Sequence, residues 1–298
     1  MNQAEEAVKS RFERAAKAQR GSLQLTERDE TLMADLFLHQ AMDRGQLQEL
    51  HFGSVQRCNM RLRKLFDHGY VSRDFHPMSP YGAQGTYRVG PKAAEIVARR
   101  LDTDAAYVKQ LCQGSKRPEF LEHTIAIVDF YLQVRRSLAS QNTTASQNAV
   151  ALETWMPELQ ARHEYDVQIP GSASWKKQIF KPDGFLRLKT ANQPYAYFVE
   201  VDRGNASAKT FAQKVDHYRL YKQSGLFTEM YGDSSFSVLV VTTGEKRLTH
   251  LKDIVEELGC SYFTFTNQKA LAGRGLLAPI WHATGIPLPT QLITKEPD

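Results

Sequence analysis

The run 195–201, YAYFVEV, constrains this chain more than any other stretch. It is β-branched and aromatic, has no interior Gly or Pro, and shows no polar alternation, the pattern of a strand covered on both faces. Such a strand needs a neighbour on each edge and helices above and below, which commits the second half of the chain to a central sheet. Yet the run ends on two carboxylates, Glu200 and Asp202, which a period of two puts on one face. A shorter strand, 185–188, follows a third carboxylate, Asp183, just after Pro182. Sixteen residues lie between Asp183 and Glu200, which suits a hairpin that gathers all three acids. Buried acids cost several kcal/mol unless paired or bound to a cation, so this stretch is a site candidate.

Around it the chain alternates. Strands are expected at 152–156, 163–167, 236–241 and 262–266, helices at 207–223 and 248–258, and a terminal strand or edge at 276–281 and its flanks. This is a mixed sheet flanked by helices. Ahead of it, Pro118 opens a long helix to about residue 138, apolar over most of its circumference except for a stripe of Glu122, Asp129, Gln133 and Arg136. Residues 139–149 form a polar low-complexity loop.

The first third reads differently. Within residues 54–100 there are nine Lys/Arg against three Asp/Glu, although the whole chain is only +5. Positive potential concentrated in this way points to a polyanionic partner. The elements there are a helix from Thr26 with Leu32, Met33, Leu36 and Phe37 on one face, a short helix at 47–52, and a third helix capped by Ser54 and stopped at His68-Gly69. A hairpin follows, 70–75 and 86–89, with a Pro/Ser/Gly-rich tip, then a helix at 92–101. This order is that of a winged helix-turn-helix, whose third helix enters the major groove of double-stranded DNA. On that helix Val55, Cys58, Leu62, Leu65 and Phe66 fall in one arc, and Gln56, Arg57, Met60, Arg61, Arg63 and Lys64 in the opposite one. The expected DNA contacts are Ser54, Gln56, Arg57, Arg61 and Lys64 on the reading helix, with Arg63, Arg73 and Arg88 on phosphates.

The domain expectations are an arm at 1–24, a winged helix at 25–102, a linker at 103–117, an α/β domain at 118–290 and a tail at 291–298, an α+β chain overall. No apolar run approaches the ~18–20 residues of a membrane span. The N-terminus lacks the apolar stretch of a secretory signal, which implies a cytoplasmic protein with no membrane partner. The three cysteines form no CxxC pair and support neither a disulfide framework nor a zinc site. No glycine-rich loop has phosphate-loop spacing.

A helix carrying Glu122, a Pro-Asp strand with Asp183, a strand carrying Glu200-x-Asp202 and then a helix is similar to the PD-(D/E)xK nuclease core. That resemblance implies a restriction-endonuclease-like domain and Mg²⁺ held by Glu122, Asp183, Glu200 and Asp202, with no other cofactor. The lysine expected two residues after the Glu is replaced by Asp202. Lys214, with Tyr218 at i+4, is the candidate catalytic lysine beside Asp183 and Glu200, and Lys181 is the other option. The segments GYVSRDF, PEFLEHTIAIVDFYL, KPDGFLRL, YFVEVDRG, AQKVDHYRLY and LAPIWH together resemble the replication-relaxation family of plasmids and integrative conjugative elements. It implies a DNA-binding accessory protein in replication, relaxation or conjugative transfer, with a relaxase, other transfer proteins or a second copy as partners. The alternatives are a Mg²⁺-dependent nickase using Asp183 and Glu200, and a transcriptional regulator or docking module.

Overall fold

The computed structural model describes residues 23–75, 85–114, 116–141, 149–168 and 174–293. The expected helix within the N-terminal arm, the tip of the hairpin, most of the polar loop and the end of the tail lie outside those residues. The chain divides into two compact units, Met1–Ile125 and Ala126–Asp298.

The first unit opens with α1 (Glu27–Leu38), started by a capping box between Thr26 and Asp29. A two-residue strand β1 (Met42–Asp43) leads into α2 (Arg44–His51), capped by Asp43 and Gln46. Ser54 then caps α3 (Val55–Asp67) by accepting from the Arg57 N–H. Gly69 in the left-handed region stops α3, with the Gly69 and Tyr70 amides bonded back to Phe66 and Leu65. Strands β2 (Val71–Phe75) and β3 (Gly85–Val89) form an antiparallel hairpin, and β1 adds to β3, giving the order β1-β3-β2. Helices α4 (Ala94–Leu101) and α5 (Ala105–Cys112) follow. Leu32, Met33, Leu36, Leu47, Cys58, Leu62 and Leu65 are buried. Val55, expected in the apolar arc of α3, is instead 46% exposed at the first turn.

The division between the units falls inside α6 (Pro118–Gln141). The second unit is a six-stranded sheet built from β4 (Ala151–Pro157), β7 (Gly184–Lys189), β8 (Pro194–Val201), β9 (Ser237–Thr242), β10 (Phe263–Asn267) and β11 (His282–Ala283). Its order is β11-β10-β9-β8-β7-β4, with β8, β9 and β10 parallel and the outer pairs antiparallel. The protein is therefore α+β with a mixed sheet. The parallel strands require crossover helices, supplied by α8 (Ala208–Ser224) and α10 (Glu245–Glu257). These pack with Phe198, Val238, Val240 and Phe265 on one face, while Ile127, Phe130, Val134 and Leu138 of α6 cover Leu186, Val199, Leu239 and Val241 on the other. Strand β8 is thus buried on both faces, as its unbroken apolar run requires.

Several elements depart from expectation. The strand at 163–167 does not join the sheet. As β5 (His163–Gln168) it pairs with β6 (Trp175–Phe180) in a separate two-stranded ribbon whose inner face is Tyr165 and Phe180. The expected terminal edge of the sheet forms on the C-terminal flank, as β11, and residues 276–280 themselves form no strand. Trp281 is fully buried, donating its indole N–H to the Leu276 carbonyl at 2.7 Å. Short helices α7 (Glu158–Ala161), α9 (Leu226–Tyr231) and α11 (Gln268–Arg274) fill the connections.

Gly184 fixes where β7 begins. A Cβ there would lie 2.6 Å from Cη2 of Trp155 and 3.2 Å from the Met156 carbonyl. Trp155 is stacked on Tyr131, which opposes its retreat from an added methyl. Gly184→Ala should cost the second unit about 1–3 kcal/mol of overpacking, read as a lower urea midpoint; an unchanged midpoint would show that Trp155 moves freely.

Candidate functional site

The acid pair is built by strand register. Gly184 lies opposite Val199, so the next position along places Asp183 opposite Glu200 on the same face. Asp183 is 4% exposed and Glu200 2%. Like charges directly opposite one another are destabilising, and a third group answers them. Lys214 of α8 donates to Oε2 of Glu200, and Tyr218, one turn later, donates its hydroxyl to Oε1 at 2.6 Å. Oδ2 of Asp183 accepts the Val201 amide at 2.7 Å. The i, i+4 spacing of Lys214 and Tyr218 is what aims both at one carboxylate.

Burial pushes the Glu200 carboxyl up to about 7, and the neighbouring Asp183 adds to this, even though Lys214 and Tyr218 pull the other way. Burial disfavours the Lys214 ammonium, but the carboxylates of Glu200 and Asp183 outweigh that and hold it above its ordinary value. Tyr218 is raised well above 10 by burial and then by Glu200, so it remains a phenol and a donor.

The structure therefore brings together three of the residues singled out from the sequence, Asp183, Glu200 and Lys214. Asp202 and Lys181 are engaged elsewhere in the second unit. Asp202 shares the face of Glu200 but turns to α10, where Arg247 grips both its oxygens at 2.8 and 2.9 Å and Thr242 donates at 2.8 Å. Burial pushes the Asp202 carboxyl up, but these bonds outweigh it and hold it below its ordinary 3.8. Glu122 is exposed on α6 in the first unit. Lys181, the alternative lysine, pairs with Glu158 at 3.1 Å. Among the described residues no group of three or more His, Cys, Asp or Glu is disposed to hold a metal ion.

Mg²⁺ demands near-octahedral oxygen ligation. Here both oxygens of Glu200 accept protein hydrogen bonds and both oxygens of Asp202 are held by Arg247, so these two carboxylates do not fit that ion as they stand. The charge a cation would balance is balanced by the Lys214 ammonium.

In the first unit, α3 presents Gln56, Arg57, Arg63 and Lys64 to solvent. The Arg63 side chain is 74% exposed and reaches Asp67 at 3.8 Å. Two of the expected DNA contacts are corrected. Arg61 turns inward: its Nε donates to Asp29 at 2.8 Å, its Nη2 donates to the same carboxylate, and Nη2 also reaches the Gln24 carbonyl at 2.9 Å. Arg88 is 6% exposed, bonded to Asp74 at 2.7 Å and to the Gly114 carbonyl at 3.2 Å. Arg73 lays its guanidinium 4.7 Å from the centroid of the Phe66 ring. Ser54 acts as the cap of α3. Asp29, the acid of the α1 capping box, is fully buried and accepts from Thr26 as well as Arg61. Burial raises its carboxyl, and the Arg61 and Thr26 bonds more than reverse this.

Comparison with known families decides the relationship. The replication-relaxation family model matches residues 33–235, from within α1 to just before β9. The chain belongs to the replication-relaxation family. The family's match covers α3, the acid pair, Lys214 and Tyr218, and stops short of Arg247. No curated protein matches the chain. A solved structure of restriction endonuclease FokI aligns with 83% of this chain and 44% of its own, at 10% identity and a TM-score of 0.26, a likeness too loose to carry an argument. No helix among the described residues is long and apolar enough to cross a membrane.

Proposed function

We propose that this replication-relaxation protein binds double-stranded DNA of a mobile element through α3 and acts there as an accessory factor in replication or relaxation, without cutting the strand. The observation that carries the reading is the outward face of α3, where Gln56, Arg57, Arg63 and Lys64 stand free of the core on a helix that follows α2 across a three-residue turn. Helix, strand, two helices and a hairpin is the order of a winged helix-turn-helix, whose second motif helix lies in the major groove. Arg57, near the N-terminal end of α3, has the length and fork to grip a guanine edge. Arg63 and Lys64 suit phosphates.

The second unit is a nuclease-like arrangement whose acid pair carries its own counterion. Lys214 satisfies Glu200, Arg247 satisfies Asp202, and neither acid is left to gather a hydrated cation. A partner such as a relaxase, or a second copy, would then dock on a stable scaffold instead of meeting a cutting site.

Incubating supercoiled plasmid with the intact chain, with Mg²⁺, Mn²⁺ or EDTA, tests both parts. The plasmid should stay supercoiled while shifting on a gel. Arg57→Ala should weaken binding to the preferred sequence by roughly 5- to 150-fold, and Lys64→Ala should weaken all sequences alike and lower the salt slope by about one. Metal-dependent nicking abolished by both Asp183→Ala and Glu200→Ala would overturn the non-cutting reading and make the pair a nuclease site.

A further inference from the structure

Resting on the reading of α3 as the DNA-contacting helix, we infer that Met60 reads the C5-methyl group of a thymine in the major groove. Met60 is 57% exposed, a large apolar side chain between the polar and cationic residues of the outward face of α3. Its place on the helix is specific. The buried side of α3 is Cys58, Leu62 and Leu65. At 3.6 residues per turn, Met60 lies about 170° from the middle of that arc. It lies opposite the core, with Gln56 and Arg57 one turn before it and Arg63 and Lys64 one turn after.

A helix laid in the major groove turns its outermost side chain to the groove floor. The floor offers hydrogen-bond donors and acceptors and one distinctive apolar group, the thymine methyl. A methionine framed by four polar or cationic residues has no hydrogen bond to give there, but its thioether chain is long and adaptable enough to cover that methyl. The surrounding Gln56, Arg57, Arg63 and Lys64 make the face complementary to nucleic acid and poorly suited to an apolar protein groove. Arg61, which would compete for the same floor, is removed from the face by Asp29.

The test is a cycle between protein and base. The preferred duplex is first selected from randomised DNA with the intact chain. Each thymine in it is then replaced by deoxyuridine, which keeps every hydrogen-bonding group and lacks only the methyl. At one thymine the wild-type protein should lose about fourfold in affinity, the effect of one buried methyl, and Met60→Ala should lose nothing further on that substitution. Met60→Ala should melt like the wild type, because the side chain contributes nothing to the core. If deoxyuridine weakens both proteins equally at every position, or the selected site has no thymine, the inference is overturned while α3 can still be the reading helix. If Arg57→Ala and Lys64→Ala leave binding to every duplex unchanged, α3 is not the interface and the underlying reading fails with it.

Discussion

Arg61→Ala should destabilise the first unit by about 3–5 kcal/mol, the cost of leaving a buried charge without its partner. The residue has the look of a DNA contact, yet its guanidinium is spent on Asp29, whose carboxylate has no solvent exposure. Removing the cation leaves Asp29 with the Thr26 hydroxyl and amide only, enough for a helix cap and too little for an ionised acid in the interior. Amide exchange in α1 and α3 of the intact chain should accelerate by roughly 150- to 4,000-fold. The double variant Asp29→Asn, Arg61→Met should recover most of the loss, because a buried ion pair can be replaced by neutral groups of similar size at little cost. Where Arg61→Ala is kept folded by low temperature, its ranking of DNA sequences should match the wild type. A variant that stays as stable as the wild type and loses sequence preference would return Arg61 to the DNA.

This pair also marks where sequence reasoning stops. The wheel of α3 separates apolar from polar residues, and Arg61 falls on the polar side of that count. What turns it inward lies 32 residues earlier. A signal was present: Asp29 sits on the same stripe of α1 as Leu32, Met33 and Leu36, and an acid on an apolar stripe requires a cation from elsewhere. Asp202 is the same case in the second unit. Its period-two relation to Glu200 was legible and its shared face is real, but its partner Arg247 comes from a helix 45 residues on.

Lys214 was legible for the opposite reason. It lies on the helix that immediately follows β8, a crossover must pack back over its own strand, and the i+4 spacing to Tyr218 aims both at one point. The buried strands 195–201 and 236–241 were legible because a run of apolar residues without alternation has few other solutions. Strand β6, WKKQIF, was not, since two exposed lysines and an exposed Trp175 erase the apolar pattern, and only its pairing with β5 defines it.

Lys214→Met should tie the stability of the second unit to pH over a wider range than in the wild type. In the wild type the Glu200 carboxyl sits near 7 instead of 4.5, chiefly through burial. The native state therefore keeps a proton that the unfolded chain releases across that window, so the contribution to stability is complete below 4.5 and lost as pH rises to about 7, of order 3 kcal/mol. Lys214 is the largest influence opposing this shift. Without it the carboxyl stays protonated to higher pH, and the loss extends above 7. Near pH 5 the variant should differ little from the wild type; near pH 9 it should fall short by about 3–5 kcal/mol. Urea denaturation followed by tryptophan fluorescence reads this directly, since Trp155, Trp175 and Trp281 all belong to the second unit. Adding Glu200→Gln to Lys214→Met should flatten the profile, because the group that titrates is gone. Parallel profiles for wild type and Lys214→Met would mean that the ammonium is not the counterion of the pair. Millimolar Mg²⁺ supplies the decisive arm: if it leaves the alkaline loss of Lys214→Met in place, the acid pair depends on its lysine alone, and if it restores stability, the two carboxylates accept a metal once the lysine is out of the way.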